Sequence, residues 1–257
     1  MSENNDTVHL IPLPGLPLIQ PGDDLAELMT EALAKAGLKL TDRDIVAIAQ
    51  KVVSKAEGCF VRLGEVTPSE RAHELAKITG KPAALVEVIL PDAAEIIRVR
   101  RDLLVVEHRL GFISANAGID HSNVSDEEGV LLRLPLDPDA SARAIRDRLA
   151  QLTGARPPVL IIDSHGRPWR LGTVGVTIGL SGLAPVQDLR GTPDLFGHPL
   201  RYTDVGVADQ IAAAVSLLMG QAAERLPVVI VRGLNFSPDE QARAADVLRP
   251  KELDVFR

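Results

Sequence analysis

Residues 158–172, PVLIIDSHGRPWRLG, place an apolar run directly before a polar stretch that contains glycines. An aliphatic run bounded by turn-forming residues is typical of a short buried strand. We expect Asp163 at the carboxyl end of this strand, a common position for a metal-binding carboxylate. Arg167 and Arg170 supply planar donors for phosphate or carboxylate groups. The alternative is a hairpin turn in which the aspartate caps backbone amides and the arginines pair with surface acids.

Other segments predict further strands and helices. The strand candidates share an aliphatic, β-branched composition and lie at residues 8–13, 44–53, 103–108 and 227–233. The helix candidates combine a polar cap, a helical period and a closing glycine, and lie at residues 21–38, 68–80 and 137–154. In the first helix we expect Asp23 to be the cap and Gly37 to mark the end. The C-terminal residues 236–257 indicate a helix and a tail. Strands and helices follow one another without regular alternation, which favours a mixed α+β fold.

The composition excludes several classes of protein. A chain of 257 residues can form one large domain or two interlocked ones. Its 28 Lys+Arg against 35 Asp+Glu give a net charge of −7, which argues against a general nucleic-acid or anionic-membrane binder. The single Cys59 excludes an intramolecular disulfide framework, and no apolar run approaches the roughly 20 residues that span a bilayer. Because the N-terminus also lacks the features of a signal peptide, we expect a cytoplasmic protein.

Residues 113–124, ISANAGIDHSNV, interrupt the aliphatic sequence with a small, polar run. Asp120 and Asn123 lie three residues apart among alanines, serines and Gly118. Such a composition suits a tight loop whose backbone approaches a ligand closely. Taken alone, this pattern is a weak signal.

A basic group follows the predicted strand at residues 44–53. Lys51 and Lys55, together with Gln50 and Ser54, are placed where ammonium groups can meet phosphates as point charges. Solvated surface lysines are the alternative. The glycines of residues 172–182 do not match GxGxxG, and GxxxxGK[ST] is absent from the sequence. Neither common phosphate loop would therefore hold a nucleotide.

A second basic group, RVRRD at residues 98–102, either seats an anionic substrate or balances the acids of the preceding PDAAEII. His121 and His165 each lie beside a candidate aspartate, but without HExxH or CxxC context we expect them to be hydrogen-bonded or solvent-facing, not metal ligands. Cys59 is interpreted as a small buried hydrophobic residue, not a nucleophile.

Several ordered segments together resemble one known family. They are GLPLIQPGDDL, KVVSKAEG, NAGIDHSNV, LPLDPDASA, DSHGRPWRLGTVGVTIG, DLFGHPL, VADQIAAAVSLLMGQ and VVIVRGL. In this order they are similar to the F420:γ-glutamyl ligase family, the coenzyme F420-0:L-glutamate ligases, across residues 10–234. In actinobacterial relatives this module is joined to a C-terminal flavin-binding, nitroreductase-like domain. We expect that second activity to be absent here, because the chain ends after DVLRPKELDVFR.

The resemblance implies a GTP-dependent ligase that adds L-glutamate to the terminal carboxylate of F420-0 or dehydro-F420-0 and then adds further glutamates in γ-linkage. GDP and phosphate would leave. The family implies Mg²⁺ or Mn²⁺, one or two per site, and assistance from K⁺. It also implies an α+β fold of two interlocked subdomains within a single module over residues 1–257, and an intertwined homodimer with the nucleotide groove near its interface.

The resemblance also assigns roles to individual residues. Asp120 and Asp163 would bind the divalent metal, with Ser164 and Gln221 at a second metal position. The nucleotide contacts would be Leu16, Pro17, Leu18, Ile19, Gln50, Lys51, Lys55, Asn123, Leu218, Met219, Gly220, Gln221, Ala222, Ala223, Glu224 and Arg225. Some relatives have glutamate in place of Gln221 and threonine in place of Ser164. Because an amide oxygen holds Mg²⁺ less strongly than a carboxylate does, we expect a weaker second site or one that needs substrate phosphates.

The positive charges of Lys51, Lys55 and Arg170 indicate a catalytic role. These side chains would neutralise the negative charge that develops on a transferred phosphoryl group. Two other classes remain open. One is a metal-dependent nucleotide phosphotransferase or phosphohydrolase that uses the same aspartates with another acceptor. The other is a non-catalytic F420-binding or partner-binding protein.

Overall fold

A computed structural model describes residues 7–255 of the chain. The strands are β1 (His9–Pro12), β2 (Ile45–Ala49), β3 (Phe60–Arg62), β4 (Ala93–Arg100), β5 (Leu103–His108), β6 (Ile113–Ala115), β7 (Val130–Leu132), β8 (Val159–Arg167), β9 (Arg170–Ser181), β10 (Gln187–Asp188), β11 (Asp204–Val205) and β12 (Val228–Arg232). The α-helices are α1 (Leu25–Lys35), α2 (Gln50–Ala56), α3 (Glu70–Thr79), α4 (Ala83–Ile89), α5 (Pro138–Thr153) and α6 (Val207–Met219). The prediction of a mixed α and β fold is therefore confirmed.

A five-stranded mixed sheet forms the centre, in the order β1-β12-β2-β8-β9. The β2–β8 pair is parallel and the other pairs are antiparallel. Residues of β2 alternate between two cores: Val46 and Ile48 face one, and Ile45 and Ala47 face the other. Helices α1 and α5 cover the first core, and α6 covers the second. Both faces of the sheet are buried, which explains why its strands read as continuous apolar runs.

Two glycines of β9 allow helices to pack directly on the sheet. A methyl group on Gly175 would overlap the carbonyl oxygen of Ala212 in α6. A methyl group on Gly179 would lie 2.6 Å from the carbonyl carbon of Pro138 in α5. These glycines of the 172–182 segment therefore serve close packing between strand and helix.

Residues 60–132 carry a further hydrophobic cluster beside the central sheet. Its centre includes Leu75 of α3, Val86 of α4 and Leu104 of β5. Strands β4, β5 and β6 form an antiparallel sheet, and β3 pairs with β7. The predicted division into two interlocked subdomains, and the intertwined dimer, stay predictions. Within the described residues, no helix combines the length and the apolar character needed to cross a membrane.

Several predicted elements are confirmed with shifted boundaries. Strands β1, β5 and β12 lie within the predicted runs, and α3 and α5 end at the predicted glycines, Gly80 and Gly154. The cap of α1 is Asp24, whose carboxylate accepts from the backbone of Glu27, so the prediction of Asp23 was wrong. The strand predicted at residues 44–53 ends at Ala49.

The helix predicted in the C-terminal segment is absent from its described part, residues 236–255, which has only the short 3₁₀ turns Ala244–Val247 and Lys251–Leu253. Pro250 cannot donate a helical hydrogen bond, and Asp239 accepts from the backbone of Gln241 and Ala242 in a local turn. Ala242 and Ala244 are buried against the central sheet, so this segment packs on the sheet without forming an α-helix.

Candidate active site

The parallel pairing of β2 with β8 creates the centre of the candidate site. Ala49 lies opposite Ile162, so the next residues, Gln50 and Asp163, leave this pairing at the same edge of the sheet. Strand β8 then continues to Arg167, because β9 pairs with it antiparallel. Asp163 therefore lies inside a strand and not at its end, which corrects the sequence prediction. The proposed hairpin turn is present, but it lies beyond Arg167.

The loop at residues 113–124 brings Asp120 to this edge. Asn116, Ala117 and Gly118 have φ angles of 52°, 54° and 66°, a left-handed turn that L-residues rarely adopt. A methyl group on Gly118 would lie 2.9 Å from Cδ1 of Leu134 and 3.6 Å from Oδ2 of Asp163. The tight turn expected of this loop is present and packs against Leu134 and Asp163, whereas its approach to a ligand stays a prediction.

Asp120 makes three polar contacts. Its Oδ2 accepts from Nε2 of Gln50 at 2.6 Å, its Oδ1 lies 3.3 Å from Nζ of Lys51, and its backbone pairs with Leu132. Burial raises the pKa of the Asp120 carboxyl; the Lys51 charge opposes this rise, and the nearby charge of Asp163 adds to it. Asp120 and Asp163 thus lie in a partly buried region, where the single positive charge of Lys51 does not neutralise both carboxylates.

Lys51 and Lys55 lie one turn apart on α2 and both face the loop that carries Asp120. Nζ of Lys51 donates to the backbone carbonyl of Ser122 at 2.7 Å. Burial lowers the pKa of the Lys55 ammonium, and the charge of Lys51 lowers it further. The interpretation as a freely solvated surface lysine is therefore wrong for Lys51, whereas Lys55 is partly buried and forms no hydrogen bond or ion pair with any described residue.

Asp163 is paired with His165, whose ring packs at a tilt against Phe112. Nε2 of His165 lies 3.0 Å from Oδ2 of Asp163, and the ring of Phe112 lies 4.9 Å from that of His165. His108 stacks on Phe112, again with 4.9 Å between ring centroids. His165 is hydrogen-bonded and His121 is exposed, as expected from the sequence.

The segment at residues 218–225 closes the edge of the site. The side-chain amide of Asn123 donates to the carbonyl of Ala222 at 2.7 Å, and Nε2 of Gln221 donates to Oγ of Ser164 at 2.8 Å. Glu224 accepts from the backbone of Ala222, which folds the segment back on itself. The residues predicted for the second metal position, Ser164 and Gln221, are therefore in contact.

The remaining predicted nucleotide segment, residues 16–19, reaches the same edge. Strands β1 and β2 both run antiparallel to β12, so their carboxyl ends lie on one side of the sheet. The chain after β1 then crosses the end of α2, where the Gly22 amide donates to the carbonyl of Ala56. Ile19 is buried and Leu18 is exposed. The chain after β1 thus leaves the sheet at the edge that carries Gln50 and continues to the far end of α2.

The donor set fits a divalent cation. Asp120 and Asp163 offer carboxylate oxygens, while Ser164 and Gln221 offer a hydroxyl and an amide oxygen, the chemistry that hard cations such as Mg²⁺ prefer. Within residues 7–255, however, no group of three or more His, Cys, Asp or Glu side chains is arranged to hold a metal ion. The two carboxylates would need neutral oxygens or substrate phosphates to complete a coordination shell.

The structure leaves two predicted basic groups away from this edge. Arg170 lies opposite Arg167 at the hairpin tip, four residues along β8 from Asp163, or about 13 Å at the usual strand rise. Arg98 and Arg100 lie on exposed positions of β4 and form no ion pair with any described residue. Of the acids of PDAAEII, Asp92 binds Arg109 and Arg133, and Glu95 binds Lys251.

Sequence reasoning missed Phe112, which shows no signal beyond being one of few aromatic residues. It also did not foresee that Gln50 is buried, although the i, i+4 spacing of Gln50 and Ser54 on a helix offered a signal. Cys59 is half-buried beside Phe60, and burial raises the pKa of its thiol, which agrees with the non-nucleophilic interpretation.

Comparison with known proteins agrees with the resemblance noted in the sequence. Residues 15–233 match the family model described as F420-0:Gamma-glutamyl ligase. The chain is 49% identical over 251 residues to the coenzyme F420:L-glutamate ligase of Methanothermobacter thermautotrophicus, covering 97% of this chain and 99% of that one. It is 45% identical over 256 residues to the enzyme of the same name from Methanopyrus kandleri, covering 98% of each chain. On these matches, the chain belongs to the F420-0:gamma-glutamyl ligase family and is a ligase.

Proposed function

We propose that this chain joins L-glutamate to the terminal carboxylate of F420-0, or of dehydro-F420-0, and then adds further glutamates in γ-linkage. Family membership and the names of the relatives support the reaction. The structural observation that carries the proposal is the convergence of Asp120, Asp163 and Lys51 at one edge of the sheet. Paired carboxylates beside ammonium groups suit the positioning and charge neutralisation that phosphoryl transfer requires.

The reaction requires an activated carboxylate, because oxide is a poor leaving group. GTP is the proposed activator. A carboxylate oxygen of F420-0 attacks the γ-phosphorus, the bond to the GDP oxygen breaks, and an acyl phosphate forms. The α-amine of glutamate then attacks the acyl carbon, the carbon–oxygen bond to phosphate breaks, and the amine loses a proton. GDP and inorganic phosphate leave, and one amide bond is gained.

The lysines of α2 supply positive charge for this transfer. Lys51 is held between Asp120 and the carbonyl of Ser122, so its ammonium is fixed near the edge at which the phosphates would lie. Lys55 is half-buried beside it, where the low dielectric strengthens its attraction for an anion. Arg170 contributes only if the hairpin tip approaches a bound substrate, because it lies about 13 Å along the ribbon from Asp163.

The proposed cofactors are Mg²⁺ or Mn²⁺, one or two per site, with K⁺ in support. Asp120 and Asp163 would hold the first ion, and Ser164 and Gln221 would contribute to the second. A bound ion would act as a Lewis acid and would supply positive charge against the negative charge of the phosphoryl group. The nucleotide itself would lie across residues 16–19, 50–55 and 218–225, with Asn123 between them.

We also propose a homodimer that works in the cytoplasm. Large apolar side chains at the ends of two hairpins support a protein partner: Trp169 is 86% exposed, Leu171 and Leu195 are each 98% exposed, and Phe196 is 85% exposed. A second copy of the chain would cover such side chains, since isolated two-stranded ribbons are marginal without packing.

The test is to incubate the purified protein with F420-0, GTP, Mn²⁺, K⁺ and L-glutamate, and to measure product masses together with GDP. Successive glutamate-sized additions that require both GTP and glutamate are expected. GDP release without a mass addition would instead favour the phosphotransferase or phosphohydrolase. Tight F420-0 binding without GDP or added mass would favour a binding protein.

A further inference from the structure

The side chain of Gln50 is enclosed in the protein and both ends of its amide are engaged. Gln50 is 3% exposed, and its Nε2 donates to Oδ2 of Asp120 at 2.6 Å. Its Oε1 accepts from Oγ of Ser54 at 2.9 Å, and Ser54 is fully buried. This amide faces an aspartate and a serine, so in this arrangement its polar atoms are not offered to a ligand.

The direction of each hydrogen bond follows from chemistry. A carboxylate only accepts, so the NH₂ end of the Gln50 amide must face Asp120. The carbonyl end then faces Ser54, whose hydroxyl is able to donate to it. Removing this hydroxyl would leave the buried amide oxygen of Gln50 without its hydrogen-bond donor, so the amide would be held less firmly against the carboxylate.

The helix sets the positions of both residues. Gln50 and Ser54 lie four residues apart on α2, so they share one face of the helix, and Lys51 and Lys55 occupy the adjacent face. The helix begins directly after β2, whose first four residues are buried in the central sheet. Helix α2 therefore fixes the position of Ser54, Ser54 donates to the amide of Gln50, and this amide donates to Asp120.

We propose that Gln50 and Ser54 are positioning residues that hold the Asp120 carboxylate in the orientation that binds the divalent cation. With Oδ2 engaged by Gln50, rotation of the carboxylate is restricted, and Oδ1 stays beside Lys51. This inference rests on the proposed metal-binding role of Asp120. It gives Ser54 a role, and it assigns the amide of Gln50 to the support of Asp120.

The experiment titrates Mn²⁺ alone into the full-length protein and follows free Mn²⁺ by electron paramagnetic resonance. The variants are Ser54→Ala, Gln50→Leu and the double variant, and Ser181→Ala is the matched control because Ser181 is a buried serine at the other end of the sheet. Loss of an outer partner of a metal ligand commonly weakens metal binding by about 10- to 100-fold. We expect a loss in this range for Gln50→Leu, a loss on the order of tenfold for Ser54→Ala, and none for Ser181→Ala.

The double variant separates positioning from general packing. If Ser54 acts only through Gln50, then Ser54→Ala weakens Mn²⁺ binding in the wild-type background and adds nothing in the Gln50→Leu background. Additive losses would overturn the inference, as would equal Mn²⁺ affinities for Ser54→Ala and Ser181→Ala at similar melting temperatures. Absence of Mn²⁺ binding by the wild-type protein would overturn it as well.

The ligation assay on the wild-type protein tests the proposed reaction independently of the Mn²⁺ affinities. Glutamate addition combined with unchanged Mn²⁺ affinity in Ser54→Ala and Gln50→Leu would reject the positioning role and leave the ligase intact. The expected pattern of Mn²⁺ affinities without glutamate addition would reject the proposed reaction and leave the positioning role intact.

Discussion

The side-chain amide of Asn123 donates a 2.7 Å hydrogen bond to the carbonyl oxygen of Ala222, although the two residues lie 99 positions apart in the chain. This bond joins the loop that carries Asp120 to the segment that follows α6. Asn123 has a φ angle of 57°, a conformation that asparagine tolerates better than most residues do. This hydrogen bond therefore connects two segments that are both proposed to contact the nucleotide.

Replacing Asn123 with glycine tests the importance of this connection. Glycine adopts the same φ angle freely, so Asn123→Gly removes the amide with little added backbone strain. We expect the KM for GTP to rise by about threefold to tenfold, the range that corresponds to the loss of one hydrogen bond. Steady-state kinetics at varied GTP would measure it. His121→Ala, in an exposed position of the same loop, should leave the KM near the wild-type value.

Removing either central carboxylate should slow the reaction strongly. Asp120→Asn and Asp163→Asn keep the size of the side chain but remove its charge, and we expect kcat to fall on the order of 100-fold or more if each residue anchors the cation. Asp126→Asn changes an exposed aspartate and serves as the control. Near-normal turnover by a folded Asp120→Asn or Asp163→Asn protein would rule out the metal role for that residue.

The strands and helices with strong local patterns were predictable. Residues 103–108 and 227–233 are short aliphatic runs with turn residues around them, and α5 carries both a polar cap and a terminal glycine. Local pattern failed at residues 50–53, where Val52 and Val53 favour a strand by composition. The structure begins α2 there, because β2 has reached the edge of the sheet and its neighbours pair no further. Tertiary context overrode a weak local preference.

The site itself was predictable only as a set of residues. No local pattern encodes the pairing of β2 with β8, yet this pairing is what sets Gln50 beside Asp163. Composition suggested a close approach for the 113–124 loop, but not its partner. Ala117 is a buried, non-glycine residue with a φ angle of 54°, which sequence propensity disfavours. The surrounding packing evidently holds it there.

Gly118 offers a prediction about this close approach. Gly118→Ala would place a methyl group 2.9 Å from Leu134 on a backbone with a φ angle of 66°. We expect a loss of about 1–3 kcal/mol in the free energy of unfolding, together with lower turnover, because relief of this strain would move the loop that carries Asp120. Gly166→Ala is the matched control, because its methyl group would meet no atom within 4 Å. Urea unfolding and initial rates measure both effects; equal behaviour of the two variants would contradict the argument.

His108 predicts how stability depends on pH. Its ring is fully buried, its Nδ1 accepts from the backbone of Leu110 at 3.1 Å, and burial lowers its pKa from 6.5 to about 4. Between these two values the unfolded chain binds a proton that the folded protein does not. The contribution of neutral His108 to the free energy of unfolding is therefore complete above the pKa of the unfolded chain. It is lost as the pH falls from 6.5 toward 4. A shift of this size corresponds to roughly 3 kcal/mol.

His108→Phe should keep the stacking on Phe112 while removing the titrating group, so its unfolding free energy should change less with pH than that of the wild-type protein. Urea unfolding at about pH 7.5, 6 and 5 would measure both slopes, with His121→Phe as an exposed histidine that should not alter the slope. If His108→Phe and the wild-type protein lost the same stability across this range, the pH dependence would have to come from other groups. The carboxylate of Asp92, paired with Arg109 and Arg133, has a pKa that these partners hold below 3.8 despite burial, so its contribution falls at a lower pH than that of His108.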